Sequence, residues 1–193
     1  MSSVFKDIAR QDAKARRRLA VSAPIYRRLN DRLASLLRTH RPRVIAAYHA
    51  IGREIVLDLP LLSHYGTLVL PRSMPGRRVL SFFPPQGPLS PDDAGVPAPP
   101  ADGPGLHPDL ILVPLLAFDN AGYRLGYGKG YYDASLAALR HTAPLTAVGV
   151  AAAGQHMDRV PTEPWDERLD GIITEHHFTL TVATSPDHTG ASR

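Results

Sequence analysis

Six short apolar runs recur along this chain. Val44–Tyr48, Leu68–Leu70, Val79–Phe83, Leu110–Val113, Ala147–Val150 and Gly171–Thr174 each read as a buried strand. Most are continuous rather than alternating, the pattern of strands covered on both faces. Helical stretches near Ile55–Tyr65 and Tyr131–Arg140 separate several of them. Such strand–helix alternation predicts an α/β fold: a mainly parallel sheet with helices on both sides. Leu68–Leu70 and Val79–Phe83 are close in sequence, which predicts a hairpin or short turn between them.

The 193 residues suit one domain with a sizeable core. Ser3 to Leu19 reads as a charged helix. Ser22 reads as the N-cap of a second helix with Pro24 in its first turn, and Leu29, Leu33, Leu36 and Leu37 form its apolar stripe. The pairs Arg17-Arg18 and Arg27-Arg28 read as solvated helix faces. Pro84–Pro108, rich in Pro, Gly, Asp and Ala, reads as a long surface loop, either a lid or a spacer. The domain is expected to span 1–183, with 184–193 a disordered tail. The chain has no Cys, which excludes disulfides and thiol chemistry. No apolar run reaches the about 18 residues of a membrane span, and Met1 to Ala20 lacks an apolar signal core. A cytoplasmic protein with no membrane partner is the expectation. The net charge of +4 suits nucleic acid or small polyanions, but no recognition motif or aromatic platform for DNA or RNA is present. The nine His residues form no convincing metal set: His176-His177 reads as a pair on opposite faces of a strand, and His156 and His49 read as surface residues first and as pocket lining second.

One segment carries chemistry. Pro108-Asp109-Leu110-Ile111-Leu112-Val113-Pro114-Leu115-Leu116-Ala117-Phe118-Asp119 is a strand running into a loop. Gly122-Tyr123-Arg124-Leu125-Gly126-Tyr127-Gly128-Lys129-Gly130-Tyr131-Tyr132-Asp133 follows, a glycine-rich turn opening a helix. The alternating glycines let backbone N–H groups approach a ligand. The helix start adds unpaired N–H groups and a partial positive end. Arg124 and Lys129 add charge-assisted donors, so the segment reads as a phosphate cradle. It is neither a Walker A loop, because Gly130 follows Lys129, nor a dinucleotide fingerprint, because Tyr131 stands where the third glycine belongs. Asp133 reads equally as a helix cap or as a Mg²⁺ ligand beside phosphate.

These two strings resemble the signature of the 5-formyltetrahydrofolate cyclo-ligase family. The resemblance extends through Val148-Gly149-Val150, Gln155, Val160-Pro161, Glu163-Pro164-Trp165-Asp166 and Leu169-Asp170-Gly171-Ile172-Ile173-Thr174-Glu175, covering roughly residues 4–180. It implies a Rossmann-like three-layer sandwich in a single domain. It also implies closure of 5-formyltetrahydrofolate, alone or polyglutamylated, to 5,10-methenyltetrahydrofolate, with ATP and Mg²⁺ as cofactors and release of ADP and phosphate. A monomer or weak homodimer is expected.

Carried over by position, the resemblance places ATP on Lys6, Arg10, Arg124, Leu125, Gly126, Tyr127, Gly128, Lys129, Gly130, Tyr131 and Tyr132. It places folate on His49, Glu54 and Tyr131, and the metal on Asp133 and Asp166. Lys129, Arg124 and Tyr131 are the catalytic candidates. Lys6 and Arg10 match a Lys-x-x-x-Arg pair after a one-residue shift; without the resemblance they would read as helix-surface charges. Leu57 stands where the family has Thr, and Ala98 where it more often has Glu. The first departure leaves another acyl substrate open, and a non-catalytic relative is disfavoured by the intact loop and Asp133.

Overall fold

A computed structural model describes residues 2–181 of the chain; the expected 184–193 tail and the boundary at 183 lie outside the described residues. Helix α1 (Ser2–Ala20) and helix α2 (Ala23–His40) open the chain. Then follow β1 (Val44–Ala46), α3 (Leu59–Leu62), β2 (Thr67–Arg72), β3 (Ser81–Phe83), β4 (Ser90–Pro91), β5 (Pro97–Ala98) and β6 (Leu110–Pro114). After these come β7 (Ala117–Phe118), β8 (Arg124–Leu125), α4 (Tyr131–Thr142), β9 (Thr146–Val150), a 3-10 turn (Ala153–Gln155), β10 (Gly171–Ile173) and β11 (Phe178–Leu180).

Seven strands form one sheet in the order β11-β10-β9-β6-β1-β2-β3. The five inner strands pair parallel. The two edges are antiparallel hairpins, β2–β3 with Leu70 opposite Phe83, and β10–β11 with Ile173 opposite Phe178. Successive residues of the unbroken apolar runs enter different cores. Leu110 and Leu112 pack with Leu29, Leu33 and Leu37 of α2. Ile111 and Val113 pack on the opposite face with Leu136 of α4. Burial on both faces is why these runs do not alternate, and the three-layer reading holds.

Two local readings change, and the N-cap reading holds in position. The stretch near Ile55–Tyr65 forms only the single turn α3, which Asp58 caps by accepting the Leu61 N–H at 2.9 Å; Ile55 and Leu57 are core residues of irregular backbone. Ser22 does occupy the N-cap of α2, in extended backbone, but makes no side-chain cap bond. The Pro84–Pro108 loop contains the β4–β5 hairpin. Asp92 pins that hairpin by accepting the N–H groups of Ser73, Ala94 and Val96. No helix among the described residues is long and apolar enough to cross a membrane.

Candidate functional site

The strand order reverses between β1 and β6. From β1 the chain crosses to β2 on one side, while β6 feeds β9 on the other. Ligands in open α/β sheets bind beyond the carboxyl ends of strands at such a switch point. Here those ends lead into the Ala47–Glu54 segment after β1 and the Leu115–Gly130 segment after β6.

The second segment is built on the β7–β8 hairpin, in which Phe118 faces Arg124. Asp119 holds its turn, accepting the N–H groups of Ala121 and Tyr123 at 3.0 Å each. The glycine-rich turn leaves this hairpin. Leu125 is buried with Ala13, Leu116 and Val160, so its side chain anchors the loop to the core. Gly128 has φ 96°, and a Cβ there would lie 3.0 Å from the Arg10 guanidinium carbon. Gly130 caps α4 with φ 71° and no side-chain cap bond. Gly126 needs no left-handed backbone, and a Cβ on it would meet open space. Its lack of a side chain therefore leaves room above the loop without serving the fold. Exposed Lys129 donates to the Ala94 carbonyl at the β4–β5 tip, 3.2 Å away. Tyr131 and Tyr132 both pack, partly buried, against the core cluster under α4.

Helix α1 lies against this loop through one face. Arg10 Nε donates to the Gly126 carbonyl at 3.2 Å. Lys6, 9% exposed, pairs with Asp166 at 2.6 Å. The contact joins positions 160 residues apart. The two candidate metal carboxylates are thus both held by cations. Asp133 accepts from Arg124 Nη2 at 2.6 Å and from the Glu167 N–H at 3.1 Å. The Arg124 side chain is 4% exposed, and its Nη1 donates to the Glu167 carbonyl. Burial pulls the Arg124 pKa down, while Asp133 and then Asp166 oppose that shift. Asp133 therefore orders the start of α4 through Arg124 and the 163–167 segment rather than by capping.

Among the described residues no group of three or more His, Asp or Glu side chains is placed to hold a metal. Mg²⁺ at nucleotide sites takes one or two carboxylates, with phosphate oxygens and water completing the shell. Asp133 and Asp166 are carboxylates of that kind, each already paired with a cation, Arg124 and Lys6 respectively.

On the segment after β1, Glu54 is 5% exposed and lies beside Tyr127 of the glycine-rich turn. Its Oε2 accepts the Ile51 N–H at 2.9 Å. Burial pushes its carboxyl above the usual range, against the Ile51 hydrogen bond, the Arg17 charge and the Tyr127 hydroxyl. Buried Tyr48, whose hydroxyl donates to the Ile55 carbonyl, is pushed up by burial and then by Glu54. Burial and the Glu54 charge raise the Tyr132 phenol as well. A carboxylate in such a wall suits a ligand that brings its own N–H donors. His49 lies exposed on the same segment.

A 5-formyltetrahydrofolate cyclo-ligase family model matches residues 4–175. The chain belongs to the 5-formyltetrahydrofolate cyclo-ligase family. Among curated relatives, the 5-formyltetrahydrofolate cyclo-ligase of Mycoplasma pneumoniae is 43% identical over 67 residues, covering 35% of this chain and 39% of the relative. That of Escherichia coli K12 is 41% identical over 68 residues, 34% of this chain and 36% of the relative. These alignments thus span little more than a third of each relative. A structure of the 5,10-methenyltetrahydrofolate synthetase from Mycoplasma pneumoniae superposes with TM-score 0.66 at 26% identity, covering 88% of this chain and 98% of that one. The NMR structure of the Aquifex aeolicus 5,10-methenyltetrahydrofolate synthetase gives TM-score 0.67 at 27% identity, covering 100% and 96%.

In this cyclo-ligase family member the switch point brings together most of the candidates read from sequence, and one residue that was read otherwise. Arg18, Arg27 and Arg28 are solvated, as their pairing suggested, but Arg17 is 6% exposed. Lys6, Arg10, Ala13 and Arg17 follow at steps of four, three and four, one face of a helix. Nothing in a charged helix tells which charged face will be buried; that depends on what docks against it. His156 packs edge-on to Phe118 and sits 3.1 Å from the Asn120 side-chain oxygen, on the far side of the hairpin turn. His176 and His177 occupy the β10–β11 turn rather than a strand, with their N–H groups on Thr174 Oγ1.

Proposed function

We propose that this chain converts 5-formyltetrahydrofolate to 5,10-methenyltetrahydrofolate, using ATP and releasing ADP and phosphate. The observation that supports this reading most is the meeting of the glycine-rich loop with Glu54 at the sheet's switch point, through Tyr127, with Arg10 of α1 on the loop and Lys6 beside it on Asp166. One end suits a triphosphate and the other a ring with N–H donors.

A formyl amide carbon is a weak electrophile with a poor leaving group. The formyl oxygen attacks the γ-phosphorus in line, and ADP leaves. The aniline nitrogen of the folate then attacks the activated carbon. That nitrogen loses its proton, the carbon–oxygen bond breaks and phosphate departs. The protein's task is placement and charge neutralisation, with no covalent nucleophile. Lys129, Arg10, Lys6 and the N–H groups from Gly126 to Tyr132 hold the phosphates. Tyr131 flanks the reacting groups, and Glu54 and His49 bind the pterin end. Arg124 acts through Asp133, keeping that carboxylate in place. Asp133 and Asp166 would hold Mg²⁺, which would supply further neutralisation of phosphate charge.

The test mixes protein, MgATP and 5-formyltetrahydrofolate and follows the ultraviolet absorbance of the methenyl product, with ATP omitted as control. ATP-dependent appearance of that band is the expected result. Its absence with correctly folded protein would refute the activity.

A further inference from the structure

The backbone of the glycine-rich turn suffices to meet phosphate, so the large side chain set between Gly126 and Gly128 needs a separate reason. Tyr127 is 42% exposed, yet it is held from α1. Lys14 Nζ lies 6.0 Å and the Arg17 guanidinium carbon 5.5 Å from its ring centroid. Arg17 Nη2 donates to its hydroxyl at 2.7 Å. The same hydroxyl is hydrogen-bonded to Glu54. A guanidinium has donors only. The phenol oxygen therefore accepts from Arg17, and its single proton goes to the Glu54 carboxylate.

Glu54 thus takes donors from two segments. The Ile51 N–H, at 2.9 Å, holds it only to its own stretch after β1. The Tyr127 hydroxyl holds it to the glycine-rich turn. An ionised carboxylate has about four acceptor sites, so free ones remain for ligand N–H groups, and two fixed donors set their direction. The other ionisable groups facing Glu54 are Arg17 of α1, Tyr48 of its own segment and Tyr132 of α4. Tyr48 gives its proton to the Ile55 carbonyl, and burial keeps both phenols protonated. Arg17 acts on Glu54 by charge, while its Nη2 is engaged by Tyr127. Among these groups the Tyr127 hydroxyl is the one bonded to the Glu54 side chain.

We propose that Tyr127 is a positioning residue of the folate end: its hydroxyl, held by Arg17, donates to Glu54 and aims that carboxylate at the pterin N–H groups. This rests on the cyclo-ligase reading above. The experiment compares wild type with Tyr127→Phe, which keeps the ring and the loop backbone and removes only the hydroxyl. The KM for 5-formyltetrahydrofolate is expected to rise about five-fold or more, the scale of one hydrogen bond to a charged group. The KM for ATP should stay within about two-fold, since the phosphate donors are untouched. A hydrogen bond to a carboxylate favours its ionised form, so the acid limb of folate KM against pH should move to higher pH in Tyr127→Phe. In the ligand-free protein the Glu54 carboxyl, followed by carbon-13 NMR, should titrate at higher pH in the variant than in wild type. An equal loss for ATP and folate, an unchanged folate KM, or an unmoved Glu54 titration would each overturn the proposal. Should Tyr127→Phe not fold, because Arg17 loses its acceptor, Arg17→Met is compared with Arg17→Met/Tyr127→Phe instead, and the same outcomes decide. If wild type forms no product, the cyclo-ligase reading falls. Calorimetric titration of 5-formyltetrahydrofolate then replaces KM: weaker binding to Tyr127→Phe supports the role of Tyr127, and equal or absent binding overturns it.

Discussion

Lys129 is the exposed cation of the glycine-rich loop, tied among the described residues to the Ala94 carbonyl. Lys129→Ala should therefore leave stability nearly unchanged and lower kcat/KM by about 2–4 kcal/mol of transition-state stabilisation, as for loss of one oxyanion donor. Steady-state rates beside a melting curve check both halves. Asp133 differs, because it also neutralises buried Arg124. Asp133→Asn should raise the Mg²⁺ concentration needed for half-maximal rate and lower Tm as well; an unchanged magnesium titration would leave Asp133 a purely structural partner of Arg124. Glu54 sets a pH effect. Burial raises its pKa, so folding favours the protonated acid. That contribution to stability is full below the ordinary glutamate range and is lost as pH rises through the elevated value. Binding N–H donors needs the ionised form, so folate affinity should fall as pH drops through that same elevated value. In Glu54→Gln this acid limb should be missing, measurable as KM against pH. Of these residues, Lys129, Asp133 and Glu54 could be singled out from motif and resemblance. Arg17 could not, because its signal is burial, and burial belongs to the docked helix.

The glycine-rich loop separates two kinds of glycine. Gly128 is required by its own backbone, at φ 96°, and sits close to the Arg10 guanidinium, whereas Gly126 has neither feature. Gly126→Ala should change stability by no more than about 1 kcal/mol, the scale of a Gly-to-Ala change without strain, yet weaken ATP binding by crowding the approach to the loop. Gly128→Ala should destabilise the loop itself. Comparing Tm with nucleotide affinity in the two variants checks the distinction. The β4–β5 hairpin deserves the same reading. Burial raises the Asp92 pKa, but the N–H groups of Ser73, Val96 and Ala94 outweigh it and the net shift is downward. The hairpin's anchoring is thus present at neutral pH and is lost as pH falls through that depressed value. Asp92→Ala should speed hydrogen exchange at Ala94 and Val96 and loosen the Lys129 contact. The hairpin was hidden in sequence because its strands, Ser90–Pro91 and Pro97–Ala98, are two residues each and rich in proline.

For the molecule as a whole, a site assembled from α1, the β1 segment, the β6 segment and the 163–167 loop ties distant parts of the chain together. Saturating MgATP and 5-formyltetrahydrofolate should raise Tm. A ligand at a hundred times its Kd adds about 2.7 kcal/mol, or roughly 5–10 °C for a chain of this size. Thermal scans with each ligand alone and both together check it. The apolar runs by themselves determined a parallel sheet covered on both faces, because an unbroken run has no solvent side to give up. The glycine-rich string determined an open turn, because Gly126, Gly128 and Gly130 place no side chain on its backbone. Only the tertiary structure decided that Lys6 meets Asp166, that Arg124 is enclosed by Asp133 and Glu167, and that Arg17 is buried against Tyr127. Those outcomes depend on which face of α1 docks and on where the strand order reverses. Both are set by packing between segments far apart in the chain, which local periodicity does not encode.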